Sequence, residues 1–381
     1  MTQLDRYLFR QTGLPFILVL VCTTAVVWLT QVLQRVDLMV EDGGSLVSFL
    51  RVTLLLVPSL VGVIVPFAVL GAVLYGLNEL AVDHELPVIG AAGASRLRIA
   101  RPIILLSVLA SLLVLIINVD LQPRSYRELK ATVLEVRSDL ARSLIRTGVF
   151  TEVMEGVTIY ADEVRPGDQY VGMLINDDRD PVKSFTYTAE RGVFTASALG
   201  PRLLMARGTA QEANRLTGKV QVYEFSETAV DLATFEQDPS APMLESTERY
   251  VGELLSPDPA GIPAGDQVGH YVAEGHARLA TPLYTLTFGL MATAAFLTAP
   301  IARRGYGGRI LAVLGLAIGI RTIGFLLQGA AGDMPALNPF QYALPLSITA
   351  IAGGAITGRF WMVRRRRPVQ ALTRPTVRFA I

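Results

Sequence analysis

The amino-acid sequence predicts a membrane α-helical protein of six transmembrane helices, set three and three around an inserted all-β domain. Three observations carry that prediction. Hydrophobic residues make up 51% of the 381, charged residues only 18%, and mean hydropathy is +0.43. Soluble chains are about 25% charged, so this composition argues against a soluble enzyme, a disordered chain or a fibrous one. Six apolar runs each reach the roughly 20 residues that a helix needs to cross a bilayer. The long stretch between the third and fourth runs has none of that length and is broken into short, β-rich pieces.

The first run, Gly13–Leu33, follows Arg6 and Arg10 as a signal peptide would. It is too long for a usual signal core and lacks a small-residue cleavage site, so it reads as an uncleaved helix. Cys22 within it, the sole cysteine, is expected as a free core thiol and excludes any disulfide inside the chain. Val52–Leu77 and Pro102–Val119 complete the first three spans, residues 1–120. Leu279–Ala299, Ile310–Gln328 and Phe340–Val363 make the second three, residues 276–363, ahead of a basic tail at 364–381.

The insert, residues 121–275, opens with a one-sided helix over Arg124–Arg146, where Tyr126, Leu129, Val133, Val136, Leu140 and Leu144 recur at three and four. Short β-branched and aromatic runs follow at Gly156–Val164, Tyr170–Ile175, Val182–Arg191, Arg202–Thr209 and Lys219–Phe225. Turn signals separate them, among them Arg165-Pro-Gly-Asp168 and Ala198-Leu-Gly-Pro201. That spacing predicts an antiparallel sandwich, barrel or jelly roll. The five prolines of Pro239–Gly269 mark a connector with one short helix around Glu248–Leu255.

Arginines orient the chain, because short cytoplasmic loops collect Lys and Arg. The N-terminus, the loop between the second and third spans, the loop between the fourth and fifth, and the tail hold fourteen arginines; the opposite loops hold two, Arg35 and Arg51. Both termini are therefore expected in the cytoplasm and the β-rich insert outside. The insert has one histidine, His270, no cysteine and no paired-histidine metal spacing, so no nucleophile–base or metal signature supports an enzyme. No phosphate-binding G-x-x-x-x-G-K-[ST] loop occurs either. The chain is expected to be non-catalytic and to need no cofactor, with any ATP hydrolysis on another chain.

Two features remain. Arg321 is a charge deep in a membrane segment, where insertion costs about 2.5–3.5 kcal/mol. It either pairs structurally or meets an anionic ligand entering from the membrane; Arg35, just beyond the first span, either anchors that helix or serves the same ligand. The segment at about 79–95 mixes apolar and acidic positions, Glu79, Asp83, Glu85 and Leu86 among them; it either docks in a groove on a soluble partner or lies on the membrane as an interfacial helix, for which its acids make an anionic surface the less good host.

Together, the layout and four local stretches resemble a family, the lipopolysaccharide export permeases LptF and LptG of Gram-negative inner membranes. The stretches are Asp5-Arg-Tyr-Leu-Phe-Arg10, Gln31-Val-Leu-Gln-Arg35, His84-Glu-Leu-Pro-Val-Ile-Gly-Ala-Ala-Gly-Ala-Ser-Arg96 and Glu274-Gly-His-Ala-Arg-Leu-Ala-Thr-Pro282. In the last, Glu274, His276, Arg278 and Pro282 are read as structural positions. Pro123, the amphipathic helix and Gly148-Val-Phe150 look more like the LptF type. The resemblance implies the permease half of an ABC transporter: a second, LptG-like permease, an LptB-like ATPase dimer, an LptC-like periplasmic protein, and lipopolysaccharide as the cargo for outer-membrane biogenesis. It implies a periplasmic β-jellyroll for the insert and a coupling helix at Asp83, Glu85 and Leu86, with Glu85 matching the family's acid. It implies lateral gates at the first and fifth helices, where Arg35 and Arg321 lie. The chain departs from the family at Val32, where some members carry lysine, and at Pro87, which interrupts the coupling segment. An exporter of another lipid or of lipoproteins, and a membrane sensor or scaffold, are the alternatives from other classes; exporters of the former kind usually place one helix before the insert, not three.

The net charge of +1 conceals a division. Residues 121–275 carry 15 basic and 24 acidic groups, the remainder 19 and 9. Near-neutrality predicts no nucleic-acid partner, and the division puts the candidate anion contacts in the membrane half.

Overall fold

The computed structural model describes residues 2–34, 46–144, 147–154, 156–165, 169–178, 180, 182–197, 200–231, 244–263, 265–298 and 305–358. Arg35 and the tail 364–381 lie outside the described residues, as do 359–363 of the sixth expected span. Among the described residues, five helical stretches are long and apolar enough to cross a membrane: Gln3–Leu33, Phe49–Val82, Arg96–Val133, Val268–Leu297 and Gly307–Asp333. The sixth expected span forms a helix over Asn338–Ile356.

Helix α1 (Gln3–Leu33) starts on a capping box in which the Thr2 hydroxyl accepts from the Asp5 amide and the Asp5 carboxylate accepts from the Thr2 amide. The second span arrives in two pieces, α2 (Leu46–Leu54) and α3 (Val57–Val82), with Pro58 in the first turn of α3, where a missing N–H costs nothing. After the short α4 (Glu85–Ala91) comes α5 (Arg96–Ile116), capped by the Ser95 hydroxyl. The sequence suggests a break between the third span and the amphipathic lead-in. Instead α5 continues through a π-helical segment, Ile117–Leu121, straight into α6 (Gln122–Leu144). Pro123 explains the widened turn: its ring crowds the carbonyl four residues back and cannot donate to it, and a π-turn relieves both. The result is one rod roughly 70 Å long.

The later helices are α7 (Val251–Leu255), α8 (Val268–Leu297), α9 (Gly307–Asp333) and α10 (Asn338–Ile356). Helix α8 is the hub, packing on α3, α5, α9 and α10. In its most apolar stretch 72% of residues are buried, against 6% for α1. The membrane core gathers Val65, Leu70 and Leu77 of α3, Ile103 and Leu106 of α5, Tyr284 and Phe288 of α8, and Ala317 and Ile320 of α9. Helix α1 packs on α3 and α5, while α9 packs on α8 and α10. Both therefore flank the bundle and leave large apolar side chains uncovered, among them Leu18, Val26 and Leu29 on α1 and Ile318, Phe325 and Leu326 on α9. Cys22, expected in the core, is exposed on α1.

Between α6 and the connector the insert is β, as expected. Six strands, β1 (Thr151–Met154), β2 (Val157–Arg165), β3 (Gln169–Asp177), β4 (Lys183–Ser197), β5 (Gly200–Asn214) and β6 (Val220–Asp231), pair antiparallel in chain order. The described strands make a meander, without the Greek-key crossovers of a strict jelly roll. A crease runs across β2–β6. Positions 162, 172, 190, 207 and 226 stand in line and the ladders skip them. Two of them are left-handed, Gly172 at φ 61° and Arg207 at φ 52°. At Gly172 a side chain would also overlap Asp162. Across the line the inward face changes parity: Met173 and Ile175 are buried on one side of it in β3 and Tyr170 on the other, Ala189 and Gly192 likewise in β4. Each strand thus turns over at the same place, which bends the sheet around its own core of Ile159, Tyr170, Met173, Leu203 and Met205.

Candidate functional site

The coupling segment forms a tight corner. Asp83 closes α3 and is exposed; His84 takes the left-handed conformation, φ 62°, ψ 9°, and α4 starts at Glu85. Pro87 does not break this helix, because it occupies the first turn, where amides lack intrahelical partners. Leu86 and Ile89 pack onto the membrane core, so α4 is seated rather than loose. Glu85 accepts a hydrogen bond from the Tyr7 hydroxyl at 2.7 Å, and one turn deeper Glu79 accepts from Gln11 Nε2 at 2.7 Å. The corner is thereby tied to the start of α1. Tyr7 lies in the Asp5–Arg10 stretch that the sequence marks and Gln11 just beyond it, but neither contact was legible, since nothing local links positions 68 to 78 residues apart.

Arg321 sits near the middle of α9. Its guanidinium lies over Phe325 at 4.2 Å, one turn on, and over Tyr284 of α8 at 4.8 Å, with Nη2 3.5 Å from the Thr281 hydroxyl. No carboxylate stands within 4.0 Å of it among the described residues. Aromatic faces stabilise a desolvated cation by about 2 kcal/mol, which offsets much of its insertion cost and leaves the charge available. Gly324 lets α9 approach: a side chain there would overlap the Tyr284 hydroxyl. The Arg321–Phe325 spacing of four was a readable signal; the Tyr284 contact, across two helices, was not.

The Glu274–Pro282 stretch builds a polar clamp at the start of α8. Arg278, 3% exposed, donates to Glu274 at 3.0 Å and to the carbonyls of Arg249, Ser246 and Thr247 at 2.8, 2.8 and 3.1 Å. Glu274 also accepts from Gln328 of α9, His276 Nδ1 meets the Tyr342 hydroxyl of α10 at 3.0 Å, and the Pro282 carbonyl accepts from Ser111 of α5 at 2.6 Å. From the other side, α6 holds the same connector. Lys130 pairs with the buried Glu248 at 3.0 Å, and Arg127 pairs with Glu253 at 2.6 Å while covering the Tyr250 ring. The net effect of that environment is a Glu253 carboxyl held below its ordinary value: partial burial opposes this, and the Tyr250 amide and Arg127 outweigh it. The connector is thus gripped by both three-helix halves.

The β domain holds a cleft of about 750 Å³ at one end of the sheet, beyond the crease. Val171, Val193, Leu204 and Met205 line it, with Arg165, Arg191 and Glu227 at its edge. Arg165 donates to Glu163 at 2.9 Å, which lowers the Glu163 carboxyl and raises the guanidinium.

Comparison with known proteins matches residues 6–365 to the family model described as lipopolysaccharide export system permease LptF/LptG. An uncharacterized protein of Rickettsia prowazekii (strain Madrid E) is 24% identical over 332 residues, covering 86% of this chain and 91% of its own length.

Proposed function

The chain belongs to the LptF/LptG family of lipopolysaccharide export permeases, and from that premise we propose that it draws lipopolysaccharide sideways out of the membrane and passes it to a periplasmic bridge. As a member it is a non-catalytic, multi-pass permease subunit, working with a second permease and a separate ATPase. In the proposed topology both termini face the cytoplasm and the β domain the periplasm, in the position an LptF-type subunit would take.

The observation that carries the proposal is Arg321: a membrane cation held by aromatic faces with no carboxylate within 4.0 Å among the described residues, on a helix whose outer face is uncovered. Helices α1 and α9 stand on different flanks of the hub, so each is free to form a lateral gate with the second permease. Lipid A phosphates entering there meet Arg321 and, at the end of the first span, Arg35. Charge-assisted contacts of this kind are short and about twice as strong as neutral ones. An ATPase dimer closing on ATP pushes on Asp83, Glu85 and Leu86. Because Tyr7 ties Glu85 to α1, that push moves a gate helix directly. Acyl chains then pass to an LptC-like partner by way of the apolar part of the β-domain cleft.

A photo-crosslinking residue at Ile318, one turn from Arg321, tests the entry step. Crosslinks to lipopolysaccharide are expected with the wild-type arginine and to fall roughly tenfold with Arg321→Ala, the equivalent of about 1.5 kcal/mol for one charged hydrogen bond. Equal crosslinking in Arg321→Ala would overturn phosphate recognition there. Loss of ATPase copurification in Glu85→Ala tests the docking role, and retention with normal growth would remove it.

A further inference from the structure

We propose that the groove between α1 and α3, at the end where α1 begins, is a binding site for an anionic glycerophospholipid of that leaflet, separate from the path of the exported lipid. The groove encloses about 710 Å³. Its long wall is apolar, Leu14, Pro15, Leu18 and Val19 of α1 facing Tyr75 of α3, and its mouth is polar, with Arg10, Tyr7 and Gln11. Depth matches the two parts of a lipid. The apolar run of α1 opens at Gly13, so Arg10 stands about 4.5 Å outside the hydrocarbon edge, at phosphate level, while Leu14 and Leu18 run down the first acyl carbons.

Charge favours an anion over a neutral lipid. Arg10 has no carboxylate within 4.0 Å among the described residues, and Arg6 lies one turn before it on the same face. Like charges four apart repel, and a phosphate between them removes the repulsion. The acids nearest the groove, Glu79 in its lining and Glu85 beyond Tyr7, take their hydrogen bonds from Gln11 and Tyr7 of α1, and neither pairs with Arg10. The apolar wall stays open in the chain itself, Leu14 being 64% and Leu18 60% exposed. Occupancy bears on the coupling corner, since Tyr7 at the groove mouth is the donor to Glu85. A seated lipid braces the start of α1 against the corner and stiffens that link.

Native mass spectrometry of the detergent-purified chain, titrated with equimolar phosphatidylglycerol and phosphatidylethanolamine, tests this. Wild type is expected to retain one phosphatidylglycerol at least fivefold over phosphatidylethanolamine. Arg10→Ala and Arg10→Glu are expected to abolish the preference, and Arg10→Lys to keep it. Arg101→Ala, an exposed arginine on α5 outside the groove, serves as the control. Equal retention of the two lipids by wild type, an unchanged preference in Arg10→Glu, or an equal loss in Arg101→Ala would each overturn the site, whatever the exported cargo proves to be.

Discussion

Replacing Arg278 with alanine should release the connector from the membrane bundle. The side chain is almost wholly buried and meets four acceptors: the Glu274 carboxylate and the carbonyls of Ser246, Thr247 and Arg249. Truncation strands Glu274, itself only 24% exposed, and leaves three carbonyls short of a donor. Removing one partner of a buried ion pair costs about 3–5 kcal/mol. Taking the lower figure, because Gln328 still serves Glu274, the open form of residues 244–255 rises by roughly 100-fold. Amide exchange followed by mass spectrometry reads this directly, since local opening sets the exchange rate. Arg278→Lys keeps the charge near Glu274 but lacks the fork that spans the three carbonyls, and should recover less than half of the effect in kcal/mol. Exchange in Arg278→Ala within threefold of wild type would show that the clamp does not hold the connector.

Other outcomes follow from single contacts. Gly324→Leu drives a side chain into the Tyr284 hydroxyl and should cost about 1–3 kcal/mol of overpacking, seen as a lower unfolding temperature in detergent. Tyr7→Phe removes the hydroxyl held by Glu85; at about 1 kcal/mol for a half-exposed bond, exchange over 85–91 should quicken roughly fivefold. Arg207→Gly relieves a left-handed residue whose side chain makes an exposed pair with Glu190, and should stabilise the β domain by about 1 kcal/mol; Arg207→Val should destabilise it. Thermal unfolding of the two variants in parallel decides the sign.

Much of this architecture is written in hydropathy, because bilayer thickness turns length into structure. The spans around Gly13–Leu33 and Ile310–Gln328 came from that rule alone, and the one-sided helix at Tyr126–Leu144 from its spacing. What pattern could not carry is instructive. The hydropathy ends one span at Val119 and the spacing starts another helix at Arg124, yet a widened turn before Pro123 joins the two and the helix runs on. The strands near Val182–Arg191, Arg202–Thr209 and Lys219–Phe225 are legible only up to the crease. There the inward face changes parity, so alternation stops while the strand does not. Cys22 looks like core because its neighbours are apolar, but in a flank helix apolar residues face outward. The site was legible as separate residues: Arg321 as a charge inside a membrane span, Glu85 and Arg278 through the stretches that resemble the family. Their partners Tyr7, Ser246 and Tyr284 were not, because those contacts join distant segments.

The crease has a bearing on how the insert reaches its pairing in the first place. In a plain meander, sliding one strand by a residue exchanges its two faces but leaves a sheet of much the same shape. Here a slipped strand would put its own fold point out of line with its neighbours', bringing Val171 or Met173 instead of Gly172 against the Asp162 side chain and burying the wrong face on both sides at once. The error is counted twice, once in each half. Five strands that must all turn over on one line have only one alignment in which they do, so the crease acts as an index mark for assembly.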